Sequence, residues 1–349
     1  MKQLHHLTIY DSKKKWNEII FISFLFFIPF LICVFRPLKS MDTEGYYNYF
    51  LKANLEHPHP EKSFVYISLF WKKILGDIYG FRGVLFTYTL LAYIVLVEVL
   101  KKCKNLFVSF VIYFSFAYMY QICIQMRSSV ANLIFILALF DIKNKDIKKY
   151  YLKICIAFII HNSAILYVIV YPIARFIIKR KKILYFLPII AIGSSFFVAS
   201  FVGFIVKNTQ DSSSYIFKTL FVYYSSSHIG KTGVNPVNTI SLSILCFYYY
   251  FVYKINVKYI SDLECISLVV MSLSLLMSTL GYILIPIFAE RYTVAINLIL
   301  MLFLPLFMNR CKEKKIFLVL LLVYLWLINR QYQTLNFTVS YLFGEYPTY

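Results

Sequence analysis

Residues 36–47 read RPLKSMDTEGYY, and they open the longest non-hydrophobic stretch of the chain, residues 35–82. Asp42 and Glu44 stand two residues apart, directly after the first apolar run. Two carboxylates at this point would lie at a membrane face in front of a water-filled cavity, which is where a membrane enzyme needs them. The alternative is a solvated loop that merely ends the first span. An Asp-x-Glu pair alone does not decide between these interpretations.

Two short amphipathic segments follow these carboxylates, residues 46–55 and 63–75. Both are rich in Tyr, Phe and Trp, and the sequence His57-Pro58-His59-Pro60 separates them. Aromatic amphipathic helices of this kind lie in the membrane interface with their rings toward the lipid. We therefore predict two interfacial helices in this loop.

The composition is that of a multi-span membrane protein. Of 349 residues, 60% are hydrophobic and 19% are aromatic, and the mean hydropathy is +0.69, well above that of soluble domains. Lys and Arg number 36 against 16 Asp and Glu, which gives a net charge of +20. In a soluble protein this excess would indicate nucleic-acid binding. In a membrane protein it marks cytoplasmic loops, so we expect no nucleic-acid partner.

Several apolar runs are long enough to cross about 30 Å of hydrocarbon, or nearly so with tilt. They are residues 19–35, 83–100, 106–121, 128–140, 183–206, 237–253, 265–287, 292–308 and 316–328. Charged residues and proline follow the first run, so we expect a retained span and not a cleaved signal peptide. No internal repeat appears. We predict one all-α integral-membrane domain over residues 1–349, with about nine full spans.

The distribution of Lys and Arg sets the orientation of these spans. These residues concentrate in short loops before residue 19 and at 101–105, 142–149, 179–182, 254–262 and 310–315. Such loops belong in the cytoplasm. The N-terminus is then cytoplasmic, and the loops 36–82 and 207–236 face the periplasm or exterior.

The apolar stretch 150–178 is a special case, because basic residues flank it on both sides and both flanks belong in the cytoplasm. An even number of crossings must lie between them, yet each half is short for a span. The polar sequence His161-Asn162-Ser163 interrupts the stretch. We predict a re-entrant hairpin with its apex there, facing the same cavity as the exterior loops. One long tilted helix is the alternative.

Ionisable residues near membrane depth are costly and are therefore candidates for function. Arg127 opens a predicted span, where a guanidinium and the free N–H groups of a helix start can bind a phosphate together. An interfacial arginine that snorkels outward is the alternative. Arg291 is either the ion-pair partner of Glu290 or a second phosphate contact. His161 is either a buried histidine that donates to a carbonyl at a helix break or a proton carrier in catalysis.

The seven cysteines form no close pair in the sequence and have no metal-ligand spacing. Nearly all lie in apolar runs or basic loops, so we expect small buried hydrophobic side chains. We predict no disulfide framework, no metal site and no cofactor.

Four short blocks, taken in order, resemble the recurring blocks of the EpsG-like polysaccharide polymerases. These are multi-pass bacterial proteins similar in role to the Wzy O-antigen polymerases. The blocks are Asp42 with GYYNY (45–49), IQMRSSVA (124–131), AFIIHNSA (157–164) and ERY (290–292). The resemblance covers residues 19–304, and the blocks around Arg127 and His161 match best.

The resemblance implies transfer of a polyprenyl-pyrophosphate-linked glycan to the next lipid-linked repeat unit, at the exterior face of a bacterial inner membrane. It also implies contact with membrane lipid and with a chain-length regulator protein. Attack by a sugar hydroxyl needs a group that takes or orients the proton, and departure of lipid pyrophosphate needs cations. The proton-handling candidates are Asp42, Glu44 and His161. The pyrophosphate-binding candidates are Arg127, Arg291, Arg82 and Lys231, and the sugar-binding candidates are Tyr46, Tyr47 and His228.

Two other functional classes stay open. A flippase or transporter of lipid-linked oligosaccharides would share an aromatic, cationic cavity, although such proteins more often show repeated halves. A membrane acyltransferase that modifies a surface glycan could use His161 as its base.

Overall fold

A computed structural model describes residues 2–37, 41–54, 61–114, 122, 125–208, 245–246, 248–283, 298–308 and 310. All regular secondary structure in these residues is helical, as the sequence predicted. The contacts divide the chain into two compact units, and each is described by itself. That the chain forms a single integral-membrane domain stays a prediction.

The first unit is built from residues up to Ile169, with Leu300–Arg310. Its helices are α1 (Lys2–Phe35), α2 (Met41–Leu51), α3 (Lys62–Lys102), α4 (Leu106–Tyr113), α5 (Met126–Lys143) and α6 (Ile147–Ile160), followed by a 3-10 segment, Asn162–Ile169. The helices of the second unit are α7 (Val170–Lys179), α8 (Leu187–Asn208) and α9 (Asp262–Ile283), with 3-10 turns at Lys181–Tyr185 and Val257–Tyr259. A further helix, α10 (Leu298–Met308), lies mostly in the first unit.

Within the described residues, three helical segments are long and apolar enough to cross a membrane: Trp16–Phe35, Tyr79–Lys102 and Asn162–Lys179. The first two coincide with the predicted runs 19–35 and 83–100. The third is the second half of the stretch 150–178, which is longer than the sequence analysis expected for a half of that stretch. The predicted run 316–328 lies outside the described residues.

The outer surface of α1 is apolar in the way that a lipid environment requires. Phe24 is 75% exposed, and Phe21, Phe27 and Ile28 are also exposed on this helix. Contiguous apolar surface of this kind is unfavourable in water and favourable in hydrocarbon. The chain is therefore a membrane protein, and the part of it that the structure describes is built from helices.

Helix α3 folds back on itself at Gly76, which has a φ of +72°, a conformation that favours glycine. Trp71, from the arm before the kink, packs closely on the arm after it. A Cβ atom at Gly83 would overlap the Trp71 ring, and one at Gly80 would lie 2.8 Å from the Trp71 carbonyl oxygen. Trp71 Nε1 also donates a hydrogen bond to Thr87 Oγ1 at 2.8 Å. Trp71 thus holds the two arms of α3 against each other.

This fold-back gives residues 63–75 a protein neighbour that the sequence did not predict. The segment is helical, as expected, but it runs along the following arm of its own helix. The Phe64 ring stacks on the Tyr88 ring with their centroids 6.5 Å apart, so the start of α3 lies beside the middle of Tyr79–Lys102. Tyr66 and Phe70 of the same segment stay exposed, so its interfacial position remains a prediction.

Helix α5 is the centre of the first unit, and α3 and α6 pack against it. Every residue of α5 except Leu137 and Lys143 is buried. A helix that is apolar on all sides is expected to be surrounded by protein or lipid, and this one is surrounded by protein. The Tyr167 hydroxyl donates to Asn132 Oδ1 at 2.6 Å, and the Tyr167 ring stacks on Phe135 at 3.9 Å.

The helix is interrupted at His161, within the polar sequence of the stretch 150–178. Helix α6 ends at Ile160, and His161 has extended backbone angles, with φ −151° and ψ 119°. The 3-10 segment that follows packs on α6, because the Tyr150 hydroxyl donates to the Tyr167 carbonyl oxygen at 2.6 Å. The two arms therefore lie side by side.

In the second unit, α9 packs on α7 and α8. Its N-terminus carries a capping box, in which the Ser261 N–H donates to Glu264 Oε2 at 2.7 Å and the Glu264 N–H donates to Ser261 Oγ at 3.4 Å. These bonds satisfy two of the amides that a helix start leaves without an intrahelical acceptor.

The cysteines depart in part from the prediction. Cys103 and Cys265 are free and buried, as expected, but Cys155 and Cys246 are exposed. Cys33 is disulfide-bonded, which corrects the expectation that disulfides are absent. Spacing along the sequence did not reveal this bond, because disulfide formation depends on the approach of two Cα atoms in three dimensions.

Candidate functional site

A buried carboxylate, Glu61, lies directly before α3 and is 6% exposed. Its Oε1 atom lies 2.5 Å from Nδ1 of His161 and accepts from the Asn162 backbone N–H at 3.3 Å. Its Oε2 atom forms an ion pair with Nη1 of Arg127. One carboxylate therefore joins the start of α5 to the break after α6. We call Glu61, Arg127, His161 and the Asn162 amide the Glu61 cluster.

Arg127 lies in the first turn of α5 and is buried. Its guanidinium carbon is 4.8 Å from the centroid of the Tyr46 ring, in α2, and 5.1 Å from that of the Phe64 ring, in α3. A guanidinium is attracted to aromatic faces, and more strongly where water is excluded. Three helices thus meet at this one side chain.

His161 is the most accessible member of the cluster. Its side chain is 14% exposed, against 10% for Arg127 and 6% for Glu61. The helix break explains its pairing, because ending α6 leaves the first amides of the 3-10 segment without intrahelical acceptors. Glu61 accepts from one of these amides, that of Asn162, and from the His161 ring with the same oxygen. The contact to Glu61 uses Nδ1, so Nε2 is the ring nitrogen that this contact does not use.

Opposing effects act on the pKa of Glu61. Burial raises it, while the hydrogen bond from His161 and the positive charge of Arg127 lower it, and the result is a decrease from 4.5 to about 2. Glu61 is therefore ionised at neutral pH. Because an ionised carboxylate only accepts hydrogen bonds, Nδ1 of His161 carries the hydrogen, and Nε2 of the neutral ring is an acceptor.

This arrangement can support two kinds of chemistry. An imidazole whose Nδ1–H is held by a carboxylate is a general base at Nε2. A guanidinium in the first turn of a helix is an anion ligand. The pair with Glu61 uses Nη1 of Arg127, and a guanidinium carries five N–H donors in all.

Three predicted site residues meet in or beside this cluster: Tyr46, Arg127 and His161. Tyr47 packs instead on Phe81, with ring centroids 5.2 Å apart. Glu44 is exposed on α2. Asp42 lies in the first turn of α2, and its side chain is outside the described part of the structure.

Arg82 contacts the end of α1. Its Nη1 atom donates to the carbonyl oxygens of Val34, at 3.1 Å, and Arg36. A cation there satisfies carbonyl groups that the helix end leaves without amide partners. Arg36 was missed by the sequence analysis; it is buried, its Nε donates to Thr43 at 2.8 Å and its Nη1 to the Ile122 carbonyl at 3.4 Å. These two arginines hold the end of α1 in place.

Some predicted positions lie outside the described residues. They are Glu290, Arg291, Lys231 and His228.

Glu61 was also missed by the sequence analysis. It follows two His-Pro pairs, and this context indicated a loop between two helices. A signal was nevertheless present, because an acidic residue directly before an amphipathic segment is typical of a helix start.

Comparison with known proteins identifies the family of this chain. A family model described as the EpsG family matches residues 19–346, a range that includes the whole Glu61 cluster. Comparisons with curated proteins and with solved structures gave no match. Since the family model covers nearly the full chain, the protein belongs to the EpsG family of polysaccharide-polymerase-type membrane proteins.

Proposed function

We propose that the protein extends a surface polysaccharide by transferring a polyprenyl-pyrophosphate-linked glycan to the next lipid-linked repeat unit, at the exterior face of a bacterial inner membrane. The observation that carries this proposal is the meeting of Tyr46, Arg127 and His161 around Glu61. These residues come from three separate blocks that resemble polymerase sequences. A cation and a carboxylate–imidazole pair in one cluster are the groups that glycosyl transfer from a pyrophosphate requires.

In the proposed reaction, a hydroxyl oxygen of the acceptor sugar attacks the anomeric carbon of the donor glycan. His161 Nε2 accepts the hydroxyl proton, while Glu61 holds the opposite N–H of the ring. The new glycosidic C–O bond forms as the C–O bond to the pyrophosphate breaks. The electron pair of the broken bond leaves with the polyprenyl pyrophosphate.

The leaving pyrophosphate needs positive charge, and Arg127 is the proposed ligand. Amides in the first turn of α5 point out of the helix, and the Gln125 side chain makes no capping hydrogen bond to them. The amides and the guanidinium can therefore bind one phosphate group together. We propose Arg291 and Lys231 as further contacts, whereas the contacts of Arg82 with the end of α1 favour a structural role.

Helix α2 supplies most of the proposed sugar contacts. Tyr46 lies against Arg127, and aromatic rings are suited to stacking on sugar faces. Asp42 and Glu44 share this helix, and we retain them as groups that orient the sugar or its proton. Tyr47 and His228 complete the proposed sugar-binding set.

We further propose about nine spans and a re-entrant hairpin at residues 150–178, with the Glu61 cluster facing an exterior cavity. The break at His161 and the hydrogen bond between Tyr150 and Tyr167 support a turn inside this stretch. Basic residues on both flanks support cytoplasmic ends.

Complementation of a strain that lacks the protein tests the proposal. Wild type should restore a ladder of polymerised glycan, whereas His161→Asn and Arg127→Ala should leave single repeat units at the cell surface. Arg127→Lys should fail nearly as badly, because an ammonium cannot reproduce paired guanidinium contacts. Glu98→Gln is the control, since Glu98 is an exposed carboxylate that pairs with Lys101.

The phenotype also separates the other classes of function. Loss of all surface glycan would indicate a flippase. Full-length chains that lack a substituent would indicate an acyltransferase. Wild-type ladders from His161→Asn and Arg127→Ala, at normal protein level, would refute the assignment of the reaction to this cluster.

A further inference from the structure

We infer that Glu61 is a positioning residue for this reaction: its carboxylate fixes His161 as the Nδ1–H tautomer, so that Nε2 is the atom that accepts the proton. The inference rests on the proposed function and adds a residue that lies in none of the four sequence blocks. Glu61 touches no reacting atom in this account and acts through His161.

One oxygen atom of Glu61 contacts both the ring of His161 and the backbone beside it. Glu61 Oε1 binds the His161 ring at 2.5 Å and the Asn162 backbone amide at 3.3 Å. The carboxylate is therefore anchored to the backbone next to the ring that it orients. Rotation of the imidazole would break the first contact and leave the second in place, so the anchored oxygen returns the ring to one orientation.

The other oxygen atom of Glu61 is held in place by Arg127 and the aromatic rings around it. Its other oxygen pairs with Arg127, whose guanidinium lies over the rings of Tyr46 and Phe64. Phe64 belongs to the arm of α3 that begins directly after Glu61, and Trp71 holds that arm against the following one. A positioning group needs this kind of rigid backing to hold a catalytic side chain in its productive geometry.

The other ionisable groups near Glu61 and His161 do not accept the hydrogen of the His161 ring in place of Glu61. The ionisable groups that face this pair are Arg127 from α5, Tyr46 from α2 and Tyr88 from the second arm of α3. Arg127 has only donors, and a phenol is neutral at physiological pH. Among the described residues, Glu61 is thus the carboxylate that determines which ring nitrogen of His161 is protonated.

The substitution Glu61→Gln tests the tautomer because the amide has one acceptor and one donor end. Arg127 only donates, so the amide oxygen should turn toward Arg127 and the NH₂ group toward His161. Nδ1 must then accept, and the hydrogen moves to Nε2. Glu61→Asp keeps an ionised acceptor and should keep the wild-type tautomer.

The tautomer can be read from ¹⁵N spectra of the full-length protein in lipid nanodiscs, labelled at its six histidines. The signals of His161 are those that His161→Asn removes. We expect a protonated Nδ1 and an unprotonated Nε2 in wild type, and the reverse in Glu61→Gln. An Nε2–H tautomer in wild type would overturn the inference, whatever the variants show.

Transfer kinetics give the second readout, with lipid-linked repeat units extracted from the strain that lacks the protein as the substrate. His161→Asn should lower kcat by about 10²–10⁴-fold, as expected for loss of a general base. Glu61→Gln should lower kcat by about tenfold or more with little change in KM, because ring orientation and not substrate binding is lost.

The double variant Glu61→Gln/His161→Asn separates positioning from a structural role. If Glu61 acts through His161, the double variant should be no slower than His161→Asn alone. Multiplying effects of the two substitutions would overturn the inference and would indicate independent roles. Full transfer by His161→Asn would instead refute the proposed function at this cluster, so the two failures are distinguishable.

Discussion

Replacing Glu61 by Gln should destabilise the protein by about 3 kcal/mol. The lowering of the Glu61 pKa from 4.5 to about 2 measures how much the folded protein prefers the ionised over the protonated carboxyl group. At about 1.4 kcal/mol per pKa unit, that preference is about 3 kcal/mol. Glutamine is close in shape to the protonated form, so it should lose a similar amount. The loss of one partner of a buried ion pair typically costs about 3–5 kcal/mol, which agrees.

The free energy of unfolding can be measured by denaturant titration of the purified protein in mixed micelles, followed by tryptophan fluorescence. Glu98→Gln is the matched control, since it makes the same chemical change in α3, the helix that Glu61 precedes, at an exposed pair with Lys101, 2.6 Å apart. Exposed ion pairs contribute about 0–1 kcal/mol. A loss for Glu61→Gln no larger than that of Glu98→Gln would refute the electrostatic account of the cluster.

The double variant Glu61→Leu/Arg127→Met provides a second check. Replacing both partners of a buried ion pair by apolar side chains of similar size is often neutral for stability, because no unpaired charge remains. We therefore expect this variant to be more stable than Glu61→Gln. A double variant that is less stable than Glu61→Gln would mean that the carboxylate stabilises the fold chiefly through His161 and Asn162.

Three further predictions concern other properties of the fold. The folded-state pKa of Glu61 is depressed, so its contribution to stability is present above pH 4.5 and is lost toward pH 2. Between these pH values, the free energy of unfolding of the wild type should fall by about 3 kcal/mol more than that of Glu61→Gln, as measured by the same denaturant titration. Gly83→Ala should cost about 1–3 kcal/mol and shift tryptophan emission, because the added Cβ overlaps the Trp71 ring, whereas Gly45→Ala, with no atom within 4 Å of its Cβ, should not. Alkaline phosphatase fused after Lys181 should be inactive because that position is expected in the cytoplasm, and an active fusion would show a single crossing at residues 150–178.

The elements that the sequence predicted well are those determined by local composition. Apolar runs identified the parts of α1 and α3 that are long and apolar enough to cross a membrane, because only a long apolar helix satisfies its backbone in hydrocarbon. The polar residues from His161 to Ser163 indicated the end of α6, since polar side chains compete with the helix for its backbone groups. Arg127 was correctly predicted to open a helix.

The elements that the sequence did not predict depend on contacts between distant segments. Glu61 is 66 residues from Arg127 and 100 from His161, and nothing in the intervening sequence indicates that the three meet. The fold-back of α3 follows from the positive φ of Gly76 and the fit of Trp71 against two glycines. Each glycine, taken alone, is also compatible with a straight helix that carries small residues.

Stability alone is a poor reason for a membrane protein to keep the Glu61 cluster. A buried ion pair gains little over well-packed apolar side chains, and an apolar triplet would fill the same space without the cost of desolvating charges. The cluster is also asymmetric in a way that packing does not require: Glu61 is its least exposed side chain, at 6%, whereas Arg127 and His161 keep 10% and 14% of theirs exposed. The cluster is thus suited to function more than to stability, because the carboxylate orients groups that can meet a substrate. The Glu61→Leu/Arg127→Met variant separates these two contributions, because it should fold as an apolar replacement and still fail to polymerise glycan.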